Sequence, residues 1–173
     1  MAQPFKQLLT DLRTLVSDEH EAGKRKLYDV WGRTLPEKLE QGWTQAFTRL
    51  ERAQDAGAIW AYLDPDANES RFREGDLLLL HTGDPMNGPI GRRLALEAEE
   101  DERWLLSGKQ LSATMAAYPG GACYADPDAM DLSGHYDSAL QQIETSPFGL
   151  ETLLPLFAGT LEITFDDRDL AQA

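Results

Sequence analysis

The 173-residue chain sets 30 Asp and Glu against 16 Lys and Arg, a formal net charge of −14, with 42% hydrophobic and 27% charged residues. That composition suits a folded globular chain, while the charge repels phosphate and anionic membrane surfaces at long range unless a basic face is segregated. No apolar run approaches the roughly 20 residues that cross a bilayer, and one cysteine, Cys123, permits neither an internal disulfide nor a Cys-rich zinc site.

The N-terminal segment carries charges where a secretion signal would be apolar, so the expected location is the cytoplasm. Charge is also unevenly spread. Residues 1–50 hold 8 basic and 7 acidic side chains, the rest 8 and 23, and the last basic residue after Lys109 is Arg168.

From Phe5 the apolar residues Leu8, Leu9, Leu12, Leu15 and Val16 form one stripe of an amphipathic helix. The stripe thins through the charged stretch Ser17 to Lys26 and resumes at Leu27, Val30 and Trp31, which predicts one long helix or two joined near Gly23. Lys24, Arg25 and Lys26 read as a solvated face. Thr34-Leu35-Pro36-Glu37 has the form of a capping box with proline in the first turn, opening a short helix that Gly42 closes.

Trp43 and Phe47, then Ile59, Trp60, Tyr62 and Leu63, lie in two aromatic and β-branched stretches around the polar segment Glu51 to Gly57. They read as strand, loop, strand, with an Ala-rich helix over 44–56 as the competitor. After the loop Asp64 to Glu69, the stretch Ser70 to His81 turns at Glu74-Gly75-Asp76 into four consecutive leucines, a short buried strand. Its two edges are expected to pair with residues 43–63 and 90–111. Beyond the loop Pro85 to Pro89, Ile90–Ala98 and Arg103–Gly108 read as a hairpin, and Leu111–Ala125 as a strand on each side of Pro119-Gly120-Gly121.

From Ser133 the pattern is helical, with Tyr136, Leu140 and Ile143 on one face. Ser146-Pro147 opens a further helix holding Leu150, Leu153, Leu154 and Phe157, which Pro155 bends or shortens. The expected fold is α+β: a small antiparallel β-barrel over 43–125, mounted on a helical stalk formed by residues 1–42 and 126–173.

Motifs that carry chemistry are few. There is no G-x-x-x-x-G-K-[ST] phosphate loop, His20, His81 and His135 lack metal-ligand spacing, no serine sits in a nucleophile elbow, and Cys123 reads as a small buried strand residue. Asp64, Asp66 and Asn68 begin like a calcium loop, but Glu69 and Gly75 stand where that loop needs a glycine and a bidentate glutamate. No catalytic residue, metal or cofactor is assigned, and a hydrolase using an Asp/His pair has no spacing to support it. One constellation suits a single nucleic-acid strand: Arg71, Arg73, Arg92, Arg93 and Lys109 fall in the predicted barrel, with Trp60 and Trp104 near in sequence. Against it stands the acidic run Glu97 to Glu102, and scattered surface charge around core tryptophans is the plainer reading.

The order of parts resembles one family. An amphipathic N-terminal helix, a short helix ending Glu40-Gln41-Gly42, a barrel with S-R-F-R-E-G-D-L-L-L-L-H and G-R-R-L-A-L-E-A, then Leu-rich helices and an acidic tail look like the region preceding the ATPase core of superfamily 1B helicases. There the F-x-x-G-D turn, here Phe72 to Asp76, enters a barrel strand, and the next strand pair begins near a glycine, here Gly91. The tail Leu161 to Ala173 resembles the linker that leads to the phosphate loop. The resemblance implies an accessory barrel on a stalk, guiding or gating single-stranded DNA or RNA, in cis to an ATPase core that would bring ATP and magnesium. Every ATPase motif is missing from these residues, so no catalytic residue carries over and the chain is expected to be the N-terminal region of a longer helicase. The competing reading is a stand-alone acidic interaction module whose partner is a protein, which the net charge favours.

Overall fold

The computed structural model describes residues 3–54 and 57–161. The tail beyond Leu161, read above as a linker toward an ATPase core, lies outside the described residues. The chain divides into two compact units, one formed by the chain up to Ala22 together with the segment from Asp131 onward, the other by Gly23–Met130. Helix α1, Gln3–Trp31, runs unbroken past Gly23, and the last strand continues to Pro127.

In the helical unit, α1 sets Leu9 against Leu140 of α4, Ser133–Thr145, and Leu154 of α5, Leu154–Phe157. Phe5, Leu8, Leu12, Ile143 and Leu150 pack around this centre, while Leu15 of the predicted stripe is 56% exposed. Ser146 caps the next helix as expected, its Oγ accepting the Gly149 N–H at 2.9 Å. Between α4 and α5 lies a five-residue π-helical stretch, Gly149–Leu153, in which the Leu154 N–H reaches back five residues to the Gly149 carbonyl. Pro155 accounts for it: its ring would clash with the carbonyl four residues back, and widening the turn makes room. A Cβ on Gly149 would land on the Ile143 carbonyl and come 2.6 Å from the Ile143 Cα, both backbone. Gly149→Ala is therefore expected to cost about 3 kcal/mol in urea unfolding of the chain; an unchanged midpoint would show that the close approach is not required.

The other unit is a closed, wholly antiparallel barrel of six strands in the order β1-β2-β5-β4-β3-β6. The strands are β1 Gln45–Arg52, β2 Ala58–Leu63, β3 Leu77–His81, β4 Pro89–Glu100, β5 Arg103–Ser107 and β6 Cys123–Pro127. Gly75, at φ +92, makes the predicted turn into the leucine strand. One edge of β3 pairs with β4 as expected, but its other partner is β6 rather than 43–63. Strand alternation sends Leu78 and Leu80 into the barrel, with Phe47, Ile59, Leu94, Leu96 and Leu106, while Leu79 and His81 on the opposite face are buried as well. Burial on both faces is why the run reads as continuous leucine instead of alternating.

Residues 111–117 form a short helix, α3, where a strand was expected. Leu111, Met115 and Tyr118 recur at helical spacing and pack against the barrel core. Gly91 permits this, since a Cβ there would come 2.7 Å from the Thr114 side chain. Helix α2, Leu35–Glu40, opens with the expected capping box: the Glu37 carboxylate accepts the Thr34 N–H at 3.1 Å and hydroxyl at 2.8 Å. Those two bonds hold its carboxyl below the usual range.

Candidate nucleic-acid interface

Two groups of arginines stand on the barrel and its adjoining loops. On the outer face of β1, β2 and β5, the Arg49 guanidinium lies 3.6 Å from the Tyr62 ring centroid and the Arg103 guanidinium 3.8 Å from that of Trp60. Arg49 Nε donates to Glu51 at 2.8 Å and Arg103 Nε to Glu100 at 2.6 Å. The Arg49 and Tyr62 bonds hold the Glu51 carboxyl low. These cross-strand stacks are electrically closed, and they account for Trp60 as part of a surface ladder.

The second group is Arg71, Arg73, Arg92 and Arg93, joined by Lys109. All five are exposed, and none of their side chains makes an ion pair or hydrogen bond among the described residues. Arg92 and Arg93 owe their placement to a bulge. Leu78 pairs with Leu94 and Leu80 with Gly91, so Leu79 alone opposes both arginines. Arg93 takes φ +54, and its amide N–H donates to Asp128 Oδ2 at 2.9 Å. Regular alternation would bury one of the two; the bulge turns both outward. A non-glycine residue in the left-handed region costs backbone energy, and such outliers concentrate at functional sites. Lys109 follows Gly108, whose Cβ would lie 3.6 Å from the Arg93 carbonyl oxygen, so it stands beside the bulge.

Two tryptophans that sequence reasoning did not assign carry arginines of this group. The Arg92 guanidinium sits 5.3 Å from the Trp31 ring, and that of Arg71 5.0 Å from Trp43. Trp31 is 6% exposed, with Nε1 donating to the Pro127 carbonyl at 2.9 Å, so it serves as a support on which Arg92 lies. Trp104, singled out from the sequence, belongs elsewhere. It is 5% exposed, in edge contact with Phe47 and Phe72 in the barrel core, and offers no open ring face to a base. Arg73 shares with Arg71 a cleft of about 640 Å³ whose lining also includes Asp64, Glu69, Glu99, Glu100 and Asp101, so that end of the surface is acidic.

The Asp64 to Asn68 segment resolves as a loop in which Asp64 Oδ1 accepts the Asp66 N–H at 3.0 Å, an ordinary Asx turn. Among the described residues no three His, Cys, Asp or Glu side chains are grouped to hold a metal ion, and no helix is long and apolar enough to cross a membrane. Cys123 is buried in the core, which pushes its thiol up to about 12 and leaves it unreactive.

Behind the Arg71–Trp43 pair lies a cluster buried from solvent. Lys38 Nζ and Thr44 Oγ1 both donate to the Asp126 carboxylate, and His81 Nε2 stands 3.3 Å from Asp126 Oδ1. Lys38, Thr44, His81 and Asp126 are each fully buried. His81 Nδ1 accepts the Gly83 N–H at 3.0 Å, which leaves the ring proton on Nε2, facing the carboxylate. Burial alone would push the Asp126 carboxyl up; the donors His81, Lys38 and Thr44 outweigh it and hold the carboxyl below its ordinary range. The cluster ties α2, the start of β1 and the ends of β3 and β6 together. Trp43 lies between Lys38 and Thr44, its amide N–H on the Lys38 carbonyl at 2.9 Å, and Pro127 and Asp128 follow Asp126, so one buried carboxylate sets the position of this corner.

No protein-family model and no curated protein matches this sequence. The site therefore rests on its own geometry: exposed Arg71 lying on Trp43, exposed Arg92 lying on Trp31, and Arg93 held at the bulge by its amide bond to Asp128. A preorganised guanidinium stacked on a ring loses less side-chain entropy on binding an anion than a free one does, and its fork matches phosphate oxygens.

Proposed function

We propose that this chain is the accessory N-terminal region of an ATP-dependent superfamily 1 helicase, whose barrel guides or gates a single strand of DNA or RNA and whose helical unit serves as its stalk. The observation that carries the reading is the strained bulge that presents Arg92 and Arg93, unpaired, to solvent in a chain of net charge −14. Guanidinium groups that no carboxylate of the chain occupies stay available to a polyanion, and a single nucleic-acid strand is one. ATP and magnesium belong to the core of the parent enzyme on this reading.

The test is fluorescence-anisotropy titration of the chain with labelled single-stranded DNA and RNA at low and moderate salt. Binding that weakens steeply with salt supports the strand-guiding barrel. No binding at low salt sinks it and leaves the second reading, an acidic protein-interaction module, which the net charge supports.

A further inference from the structure

The Arg71 amide N–H donates to the Gly42 carbonyl at 3.0 Å, which fixes the pair of Arg71 and Trp43 at one wall of a cleft of about 210 Å³. Phe72 and Leu77 line it as apolar residues, and Asp76 and Asp128 are its two acidic residues. The two carboxylates are occupied differently. Asp128 uses both oxygens on backbone, Oδ2 on Arg93 and Oδ1 on Ala129, each at 2.9 Å. Asp76 Oδ2 accepts the Arg73 N–H at 2.9 Å, while Oδ1 carries no hydrogen bond among the described residues.

A phosphate would use the arginine and be repelled by the carboxylate. An unstacked nucleobase can use every part: the apolar lining for its faces, Arg71, held on Trp43, for the adjoining phosphate, and Asp76 for a donor on its edge. Cytosine and adenine present an exocyclic amino group as such a donor. Thymine and uracil present a carbonyl oxygen at the matching place, which a carboxylate repels.

Building on the single-strand reading above, we propose that this cleft takes one unstacked base and that Asp76 selects bases bearing an exocyclic amino group over thymine or uracil. The requirement for an unstacked base also makes the preferred ligand a single strand rather than a duplex.

The experiment is competition anisotropy of the full 173-residue chain with oligo(dC) and oligo(dT) of about ten nucleotides at low salt. These two differ at the probed edge while both remain pyrimidines. Oligo(dC) is expected to bind about tenfold more tightly. Asp76→Asn keeps an oxygen to accept the Arg73 N–H, so the turn survives, but replaces the second acceptor by an amide donor. The preference is expected to vanish or reverse toward oligo(dT), a change that a merely structural role would not produce. Equal binding of both oligonucleotides by the unaltered chain, or an unaltered ratio in Asp76→Asn, overturns the base selection while strand binding stands. Absence of binding to either overturns both.

Discussion

Asp126→Asn is expected to lower the unfolding free energy by about 3–5 kcal/mol, because it leaves the Lys38 ammonium buried without its counter-charge. Lys38 is fully buried, and its salt bridge is to Asp126. The amide retains size and one acceptor but turns a donor toward the donors on its other side, so the loss measures charge and one acceptor rather than volume. Replacing Lys38 by Met together with Asp126 by Leu is expected to recover part of the loss, since a buried ion pair exchanged for apolar groups of similar volume is often neutral. The same carboxylate sets a pH dependence. Its folded-state pKa is depressed, so its stabilisation is complete above the unfolded value of about 3.9 and is lost as pH falls through the folded value. Urea midpoints followed by tryptophan fluorescence should hold between pH 5 and 7, roughly, and drop below about pH 4, with the drop smaller in Asp126→Asn. A variant within about 1 kcal/mol of the parent would mean that Lys38 reaches water without its partner.

This cluster was not legible in the sequence, and the reason is physical. Lys38 reads as a solvated residue on a short helix, His81 as the end of a strand, and Asp126 as the first residue of a turn-forming Asp-Pro-Asp. Pairing β6 with both β3 and β1 brings them together, and those pairings join residues more than 40 positions apart. Local signals fared better. The capping box at Thr34, the turn at Gly75 and the hairpin of β4 and β5 lie where residue chemistry places them, because each is decided within a few residues. The α3 segment is helix rather than strand: seven residues with β-compatible Leu, Thr and Met are too short for periodicity to decide, and the close approach over Gly91 settles it.

The candidate site shows the same division. Its arginines were visible as residue types, whereas the bulge that turns two neighbours to one side breaks the alternation a strand reading assumes. The aromatic partners follow the fold rather than the order of the chain. Trp60 and Trp104 are near the arginines along the chain, but Trp60 is stacked under Arg103 and Trp104 is in the core. Trp31 and Trp43, separated from Arg92 and Arg71 by whole elements, are the rings those guanidinium groups lie on.

Replacing Arg92 and Arg93 together by Ala is expected to weaken single-strand binding about tenfold or more and to flatten its log–log salt dependence by about 1.4, two phosphate contacts on a single strand. Neither arginine is engaged with a carboxylate, so the change removes charge without leaving a buried group unpaired. Backbone strain needs separate control, because Arg93 sits at φ +54. Alanine keeps that strain and glycine relieves it. Arg92→Ala with Arg93→Gly should therefore bind as weakly as the double alanine variant while unfolding at equal or higher urea. If both variants bind like the parent, the bulge has no part in strand contact and its strain serves the barrel alone. If both lose affinity with the salt slope unaltered, the arginines act through shape and not through phosphate. Loss of affinity with a flattened slope in both is the outcome that ties the unpaired charge to the strand.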